Sequence, residues 1–178
     1  MRTSIDILDK PRKVRGELAE LAFMYRAASE GIAVAKPYGD SRPYDFLVQH
    51  GSRISRVQVK STFAGPRANT HGFHVGVARI KPDHSSVAYS RQEIDIIAAF
   101  IAPLDVWYLV PVEKLGNRRC VRFYPQGSPR SYGGFFEDYL EAWHLLKDRD
   151  EVLKRDNLCA VGCTDCSQNE TSDPIRPA

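Results

Sequence analysis

Asp45-Phe46-Leu47-Val48-Gln49-His50-Gly51-Ser52-Arg53-Ile54-Ser55-Arg56-Val57-Gln58-Val59-Lys60 is the stretch whose reading decides the fold. Asp45 opens a short apolar run, Phe46-Leu47-Val48. His50-Gly51-Ser52 reads as a turn. A second run, Ile54 to Lys60, ends in a polar residue and a lysine two positions apart. Strand side chains alternate faces, so Gln58 and Lys60 share one face while Val57 and Val59 turn into a core. A hairpin register can bring Asp45 beside Gln58. Oxygen donors with a lysine next to them, on one face of a sheet, suit a divalent metal and a phosphate.

Upstream, Lys10 to Arg15 is a basic lead-in containing Pro11, and a helix is expected from Val14 to Glu30. Leu18, Leu21, Ala22 and Tyr25 recur at helical spacing and are the expected core face. Gly31 sits where a helix C-terminal glycine belongs, and Ile32 to Ala35 reads as a first strand. Pro37 to Pro43 is dense in loop formers. Downstream, Ala64 to Gly72 is a loop, and Phe73 to Ala78 alternates like a strand. Ile94–Ile101 and Val106–Val110 are expected as two buried strands around Pro103-Leu104-Asp105. Pro111 to Leu115 fits one helical turn, and Cys120 to Tyr124 a short strand. Phe135, Phe136, Tyr139, Leu140, Trp143 and Leu146 suit one side of an amphipathic closing helix. The order predicts an α/β (α+β) fold: a central mixed β-sheet flanked by helices.

The length of 178 residues bounds the chain to one domain, expected over residues 1–148, with a polar tail over 149–178. No apolar run approaches the roughly 20 residues of a membrane span. Met1 to Arg15 is charged throughout and lacks the apolar centre of a signal peptide, so a cytoplasmic location is expected, with no membrane partner. The net charge of +3 is unevenly placed: residues 1–136 carry +8 and residues 137–178 carry −5. A basic surface attracts polyanions.

Cutting a phosphodiester requires an activated water, neutralisation of charge at phosphorus and help for the leaving oxygen. A hard cation such as Mg²⁺ supplies all three when oxygen ligands hold it with open positions. Asp45 would be the charged ligand, joined by the Gln58 amide oxygen and the Val59 carbonyl. Lys60 would orient or deprotonate the water, or steady the developing charge. A second carboxylate is needed, and the first helix offers Glu17 and Glu20.

Gly16-Glu17-Leu18-Ala19-Glu20, Glu30-Gly31-Ile32-Ala33-Val34, Tyr44-Asp45-Phe46-Leu47-Val48 and Val57-Gln58-Val59-Lys60-Ser61 together resemble the PD-(D/E)XK nuclease superfamily. The branch they resemble most is the group I intron-associated homing endonucleases; archaeal Holliday-junction resolvases share a related core. The resemblance is best over residues 13–63 and extends more loosely through Asp95 and Trp107–Pro111 to Trp143. It implies a restriction-endonuclease-like core. The superfamily's helix glutamate lies 11 residues before the helix-ending glycine, which selects Glu20. Asp45 matches the motif aspartate and Lys60 the motif lysine. Gln58 stands where most of the superfamily has Asp or Glu, as in the intron-associated branch. Tyr44 replaces the motif proline, with Pro43 one position earlier.

The resemblance implies a Mg²⁺-dependent endonuclease on double-stranded DNA, with Mn²⁺ as a substitute and no organic cofactor. Glu20, Asp45 and Gln58 would bind metal, and Lys60 would complete the catalytic set. It also implies a homo-oligomer, dimer or tetramer. Arg12, Lys13, Arg15, Arg42, Arg53 and Arg56, with Arg118, Arg119 and Arg122 further on, are the cations open to DNA phosphates. A DNA-binding protein without catalysis and a junction resolvase are the other readings. Cys159-x3-Cys163-x2-Cys166 has the spacing of an iron–sulfur motif, or of zinc ligands completed by Cys120 or a histidine, but adventitious cysteines in a reduced tail are the expectation. His71 and His74, three apart on a strand, face opposite sides and are read as DNA contacts or solvated groups.

Overall fold

The computed structural model describes residues 9–39, 41–66, 72–127 and 135–148. His71, the tail from 149 and its Cys159, Cys163 and Cys166 lie outside these residues. Helix α1 spans Arg12–Ser29. Strands β1 (Ala33–Ala35), β2 (Phe46–His50) and β3 (Arg53–Thr62) follow. Then come β4 (Phe73–Gly76), β5 (Ala78–Ile80), β6 (Ser86–Ala88), β7 (Ile96–Ile101) and β8 (Val106–Pro111). A one-turn helix α2 (Val112–Leu115) and β9 (Cys120–Phe123) complete the regular elements.

The main sheet has five strands in the order β1-β2-β3-β7-β8. Only the β3–β7 pair is parallel; the other three pairs are antiparallel. The expected mixed sheet is therefore present. Strand β7, Ile-Ile-Ala-Ala-Phe-Ile, is buried at every position. Ile96, Ala98 and Phe100 join the core under α1, while Ile97, Ala99 and Ile101 join the core on the opposite face. A strand covered on both sides reads as a continuous apolar run for this reason. On the far face the β4–β9 ribbon covers the sheet, and Val77 and Tyr89, which flank the second ribbon β5–β6, join the same core.

Three expectations are corrected. Helix α1 starts at Arg12, directly after Pro11, because proline fits the entry to a helix, where its missing N–H is not needed. Its buried row is Ala19, Phe23 and Ala27, not Leu18, Leu21 and Tyr25. The two alanines let the helix lie close to the sheet, and Phe23 fills the space among Phe46, Trp107 and Trp143. Leu21 and Tyr25 stay 61% and 77% exposed. At the other end, Gly31 does close the helix, at φ 74°, with Ile32 N–H on the Ala27 carbonyl and Gly31 N–H on that of Ala28.

The closing helix is absent. Two 3-10 turns, Glu137–Tyr139 and Trp143–Leu146, stand in its place. Between them Glu141 adopts φ 49° and grips β8: its N–H donates to the Trp107 carbonyl at 2.7 Å and its carboxylate accepts Trp107 N–H at 2.7 Å. Bonds to a sheet edge replace the intrahelical ladder, so the aromatic side chains still reach the core. The third correction is smaller: the strand expected over Phe73 to Ala78 is split at Val77, whose N–H turns to the Arg119 carbonyl.

Candidate active site

Chain reversal at Gly51-Ser52 sets the β2–β3 register. His50 pairs with Arg53, and Gly51 takes φ 59° in the first turn position, as a two-residue hairpin loop demands. Phe46 then pairs with Val57, and continuing the register by one residue sets Asp45 opposite Gln58. Asp45 N–H donates to the Val57 carbonyl at 2.9 Å. Strand β2 stops there, so β3 beyond Val57 has an open flank. The Asp45 carboxylate fills it, accepting Val59 N–H at 2.8 Å and Gln58 Nε2 at 2.5 Å through one oxygen, Oδ2. A strand N–H that would otherwise lack a partner thus fixes the acid.

Gln58 and Lys60 share the face opposite Val57 and Val59, as expected, and both line one cleft of about 660 Å³. Glu20 enters from α1 and Asp45 from the strand start; Arg12, Arg15 and Gly16 form the helix side of the same cleft. Glu17 is exposed and does not line it. Glu20 Oε2 accepts Lys36 Nζ at 2.7 Å.

Burial drives the electrostatics. It pushes the Asp45 carboxyl above the usual carboxylate range; the Glu20 charge adds to this, and Val59 N–H, Lys60 and Gln58 oppose it. Burial also lowers the Lys60 ammonium, against the pull of Asp45 and Glu20. Lys60 Nζ lies 5.4 Å above the Tyr89 ring. The Tyr89 phenol is pushed up to about 12, by burial first and the Asp45 charge next, so it stays neutral. Arg15 Nε is buried without a hydrogen-bond partner among the described residues. An unanswered guanidinium N–H in a cleft is a donor for an anion.

The donor set can be tested against a metal. Two carboxylates, an amide and the Val59 carbonyl are all hard oxygen donors, which fits Mg²⁺ or Mn²⁺ with the remaining positions left to water and phosphate. No group of three or more His, Cys, Asp and Glu suited to a metal occurs among the described residues. Gln58 needs one adjustment. It faces Asp45 through its NH₂ and also donates to the Val59 carbonyl at 3.3 Å, so holding a cation through Oε1 requires the amide to turn over.

These findings have a parallel in known proteins. The family described as PD-(D/E)XK endonuclease matches residues 11–125. The chain belongs to the PD-(D/E)XK endonuclease family. It is an endonuclease, and the restriction-endonuclease-like core is the fold that carries the site. Among solved structures, the chain is similar to a bacterial homing endonuclease, I-Ssp6803I, at 25% identity and TM-score 0.59; the match covers 82% of this chain and 98% of that one. A second structure, MepB, is 12% identical with TM-score 0.37, covering 64% of this chain and 85% of that one. No curated protein matches.

The other expected DNA contacts of this endonuclease scatter. Lys13 is exposed in the first turn of α1, Arg42 is exposed in the loop before Asp45, and Arg53 is exposed at the distal hairpin end. Arg56 is largely engaged within the fold: its guanidinium is bonded to both Asp95 oxygens at 2.8 and 3.0 Å and to the Arg91 and Gln92 carbonyls. It clamps the start of β7 to β3, which leaves most of its donors already taken. Tyr89 and Lys36 were missed. Both sit far in sequence from the residues they meet, and no motif spacing marks them.

Proposed function

We propose that the chain is a Mg²⁺-dependent endodeoxyribonuclease that hydrolyses phosphodiester bonds of double-stranded DNA. The observation that carries this reading is the convergence of Glu20, Asp45 and Lys60 on one cleft, with the acid and the amine both moved by burial toward neutrality. Glu20, Asp45 and Gln58 would hold the cation, helped by the Val59 carbonyl. Bound there, Mg²⁺ supplies charge neutralisation at phosphorus and a lowered pKa for water. Burial favours the neutral amine of Lys60 over its ammonium. That amine accepts the proton of the attacking water while the water oxygen bonds to phosphorus and the P–O3′ bond breaks, the departing O3′ taking a proton from solvent. The products carry a 5′-phosphate and a 3′-hydroxyl, as the family likeness implies. Arg15 and Arg12 receive the phosphate from the helix side.

The test is plasmid cleavage with Mg²⁺ and with EDTA. Wild type should nick or linearise the plasmid only with the metal, and Lys60→Ala should lose cleavage while still binding duplex. Wild-type cutting in EDTA, or cutting by Lys60→Ala at the wild-type rate, would sink the reading. A four-way junction cut in preference to linear duplex would move the substrate from plain duplex to junctions.

We further propose a homo-oligomer. Its support is the outward row of α1, Val14-Leu18-Leu21-Tyr25-Ala28, whose alternating spacing of four and three is that of a helix–helix seam. The likeness to a homing endonuclease is consistent with an enzyme that cuts both strands of a defined site.

A further inference from the structure

Strands β4 and β9 form a ribbon with two unlike faces. Phe73 pairs with Phe123 and Val75 with Val121, and all four are buried in the far-side core. His74 pairs with Arg122 and Gly76 with Cys120, so these four share the outward face. That face forms the floor of a groove of about 450 Å³, whose walls include Arg118, Tyr124 and Phe135.

The arginines here differ from the ion-paired arginines elsewhere on the molecule. Arg26, Arg56, Arg79 and Arg91 each have a carboxylate within ion-pair distance. Among the described residues Arg118, Arg119 and Arg122 have none, and no Asp or Glu lines the groove. Arg118 is held in place: it donates to the Leu115 carbonyl at 3.2 Å and stacks 5.7 Å above the Phe136 ring. Arg122 is exposed on the ribbon. Among the described residues the charge is therefore accessible and has no carboxylate within ion-pair distance, and Arg118 is fixed in place.

The groove also meets the catalytic cleft. Gly76, at the end of β4, lines the cleft, and a side chain there would meet open space. Two residues back along the same face stands His74, beside Arg122. Two strand residues span about 7 Å, roughly two steps of a duplex strand at 3.4 Å each. A two-stranded ribbon is also an element that duplex DNA accommodates.

We propose that the outward face of the β4–β9 ribbon is a second DNA-binding surface, on which Arg118 and Arg122 hold the phosphate backbone of duplex flanking the cut site. This rests on the duplex-DNA reading of the cleft. The ribbon positions and does not cut. Contacts to phosphate carry no sequence information, so its contribution is the same on any duplex.

The experiment measures duplex affinity by fluorescence anisotropy in EDTA, so that nothing is cut, over a salt series. Arg118→Ala/Arg122→Ala should bind about tenfold more weakly at moderate salt, and its salt slope should fall by about two, near 0.9 per lost phosphate contact. The loss should be equal on unrelated sequences. Arg118→Lys/Arg122→Lys should recover most of it, since a lysine serves phosphate as a point charge. Circular dichroism checks the fold, and the lysine variant keeps the test valid should the alanine variant misfold. Unchanged affinity and slope in the alanine variant overturn the ribbon proposal. So does a loss confined to one sequence. Should wild type cut single strands and ignore duplex, the reading of the cleft fails first.

Discussion

Asp45 carries a cost that its proposed role as a metal ligand explains. Its folded pKa lies above the usual 3.8 because burial outweighs its hydrogen bonds. A carboxyl with a raised folded pKa binds its proton more tightly in the native state than in the unfolded chain. Stability linked to it is full below 3.8 and is lost as pH rises through the folded value. Asp45→Asn should therefore raise Tm at pH 7, while one amide oxygen can still accept Val59 N–H. The gain should shrink to nothing as melts are repeated down to about pH 3.5. The same variant should lose cleavage, and Mg²⁺ should raise Tm in wild type only. An unchanged Tm at neutral pH would contradict the burial argument. At this scale the sequence was informative where spacing encodes geometry. Asp45, Gln58 and Lys60 belong to one hairpin, so their meeting follows from strand alternation and a two-residue turn. Glu20 followed only from the family resemblance, whose helix glutamate stands at that distance from the helix-ending glycine. Tyr89, under Lys60, could not be read: the β5–β6 ribbon that delivers it ends in a stretch with no periodicity to anchor it.

Elements were legible where one face decides them and illegible where tertiary bonds do. Strand β7 announced itself because both its faces are covered. The stripe on α1 was misassigned because the helix has two apolar rows, and the larger side chains drew the reading outward. Alanine is a weak signal of burial in a sequence, yet here it permits the closest approach to the sheet. The closing segment failed for another reason. Its apolar spacing fits a helix, but Glu141 ties together three elements that no local pattern connects. Its carboxylate accepts Trp107 N–H at 2.7 Å, the Trp143 indole N–H at 2.8 Å and Arg26 Nη2 at 2.9 Å. Both tryptophans are buried, so removing the acceptor leaves donors out of reach of water. Glu141→Ala should cost roughly 2–6 kcal/mol, about one to three for each of the two stranded tryptophan donors. Urea unfolding measures this, and Glu141→Gln should recover part of it. A cost below about 1 kcal/mol would show that water replaces the carboxylate.

At the scale of the whole molecule, the proposed catalytic cleft and the exposed row of α1 lie on different sides of one helix. Glu20, Arg15 and Gly16 face the cleft, while Leu21 and Tyr25 face away from it, which leaves the seam free to meet a second copy without closing the site. In an antiparallel pairing about a two-fold axis near Leu21, that residue meets its own equivalent and Leu18 approaches the Tyr25 of the second copy. Such a contact is self-complementary, so one substitution strikes it twice. Leu21→Glu brings two carboxylates together at the axis and should reduce the mass measured by light scattering to the 20.1 kDa of one chain. On the cleft side nothing changes, so the separated chain should still bind metal. What it should lose is coordination between cuts: one site reaches one strand at a time, and supercoiled plasmid should accumulate as nicked circle where wild type yields linear product. A wild-type mass already equal to one chain would refute the seam. An oligomer unmoved by Leu21→Glu would put the contact on another face.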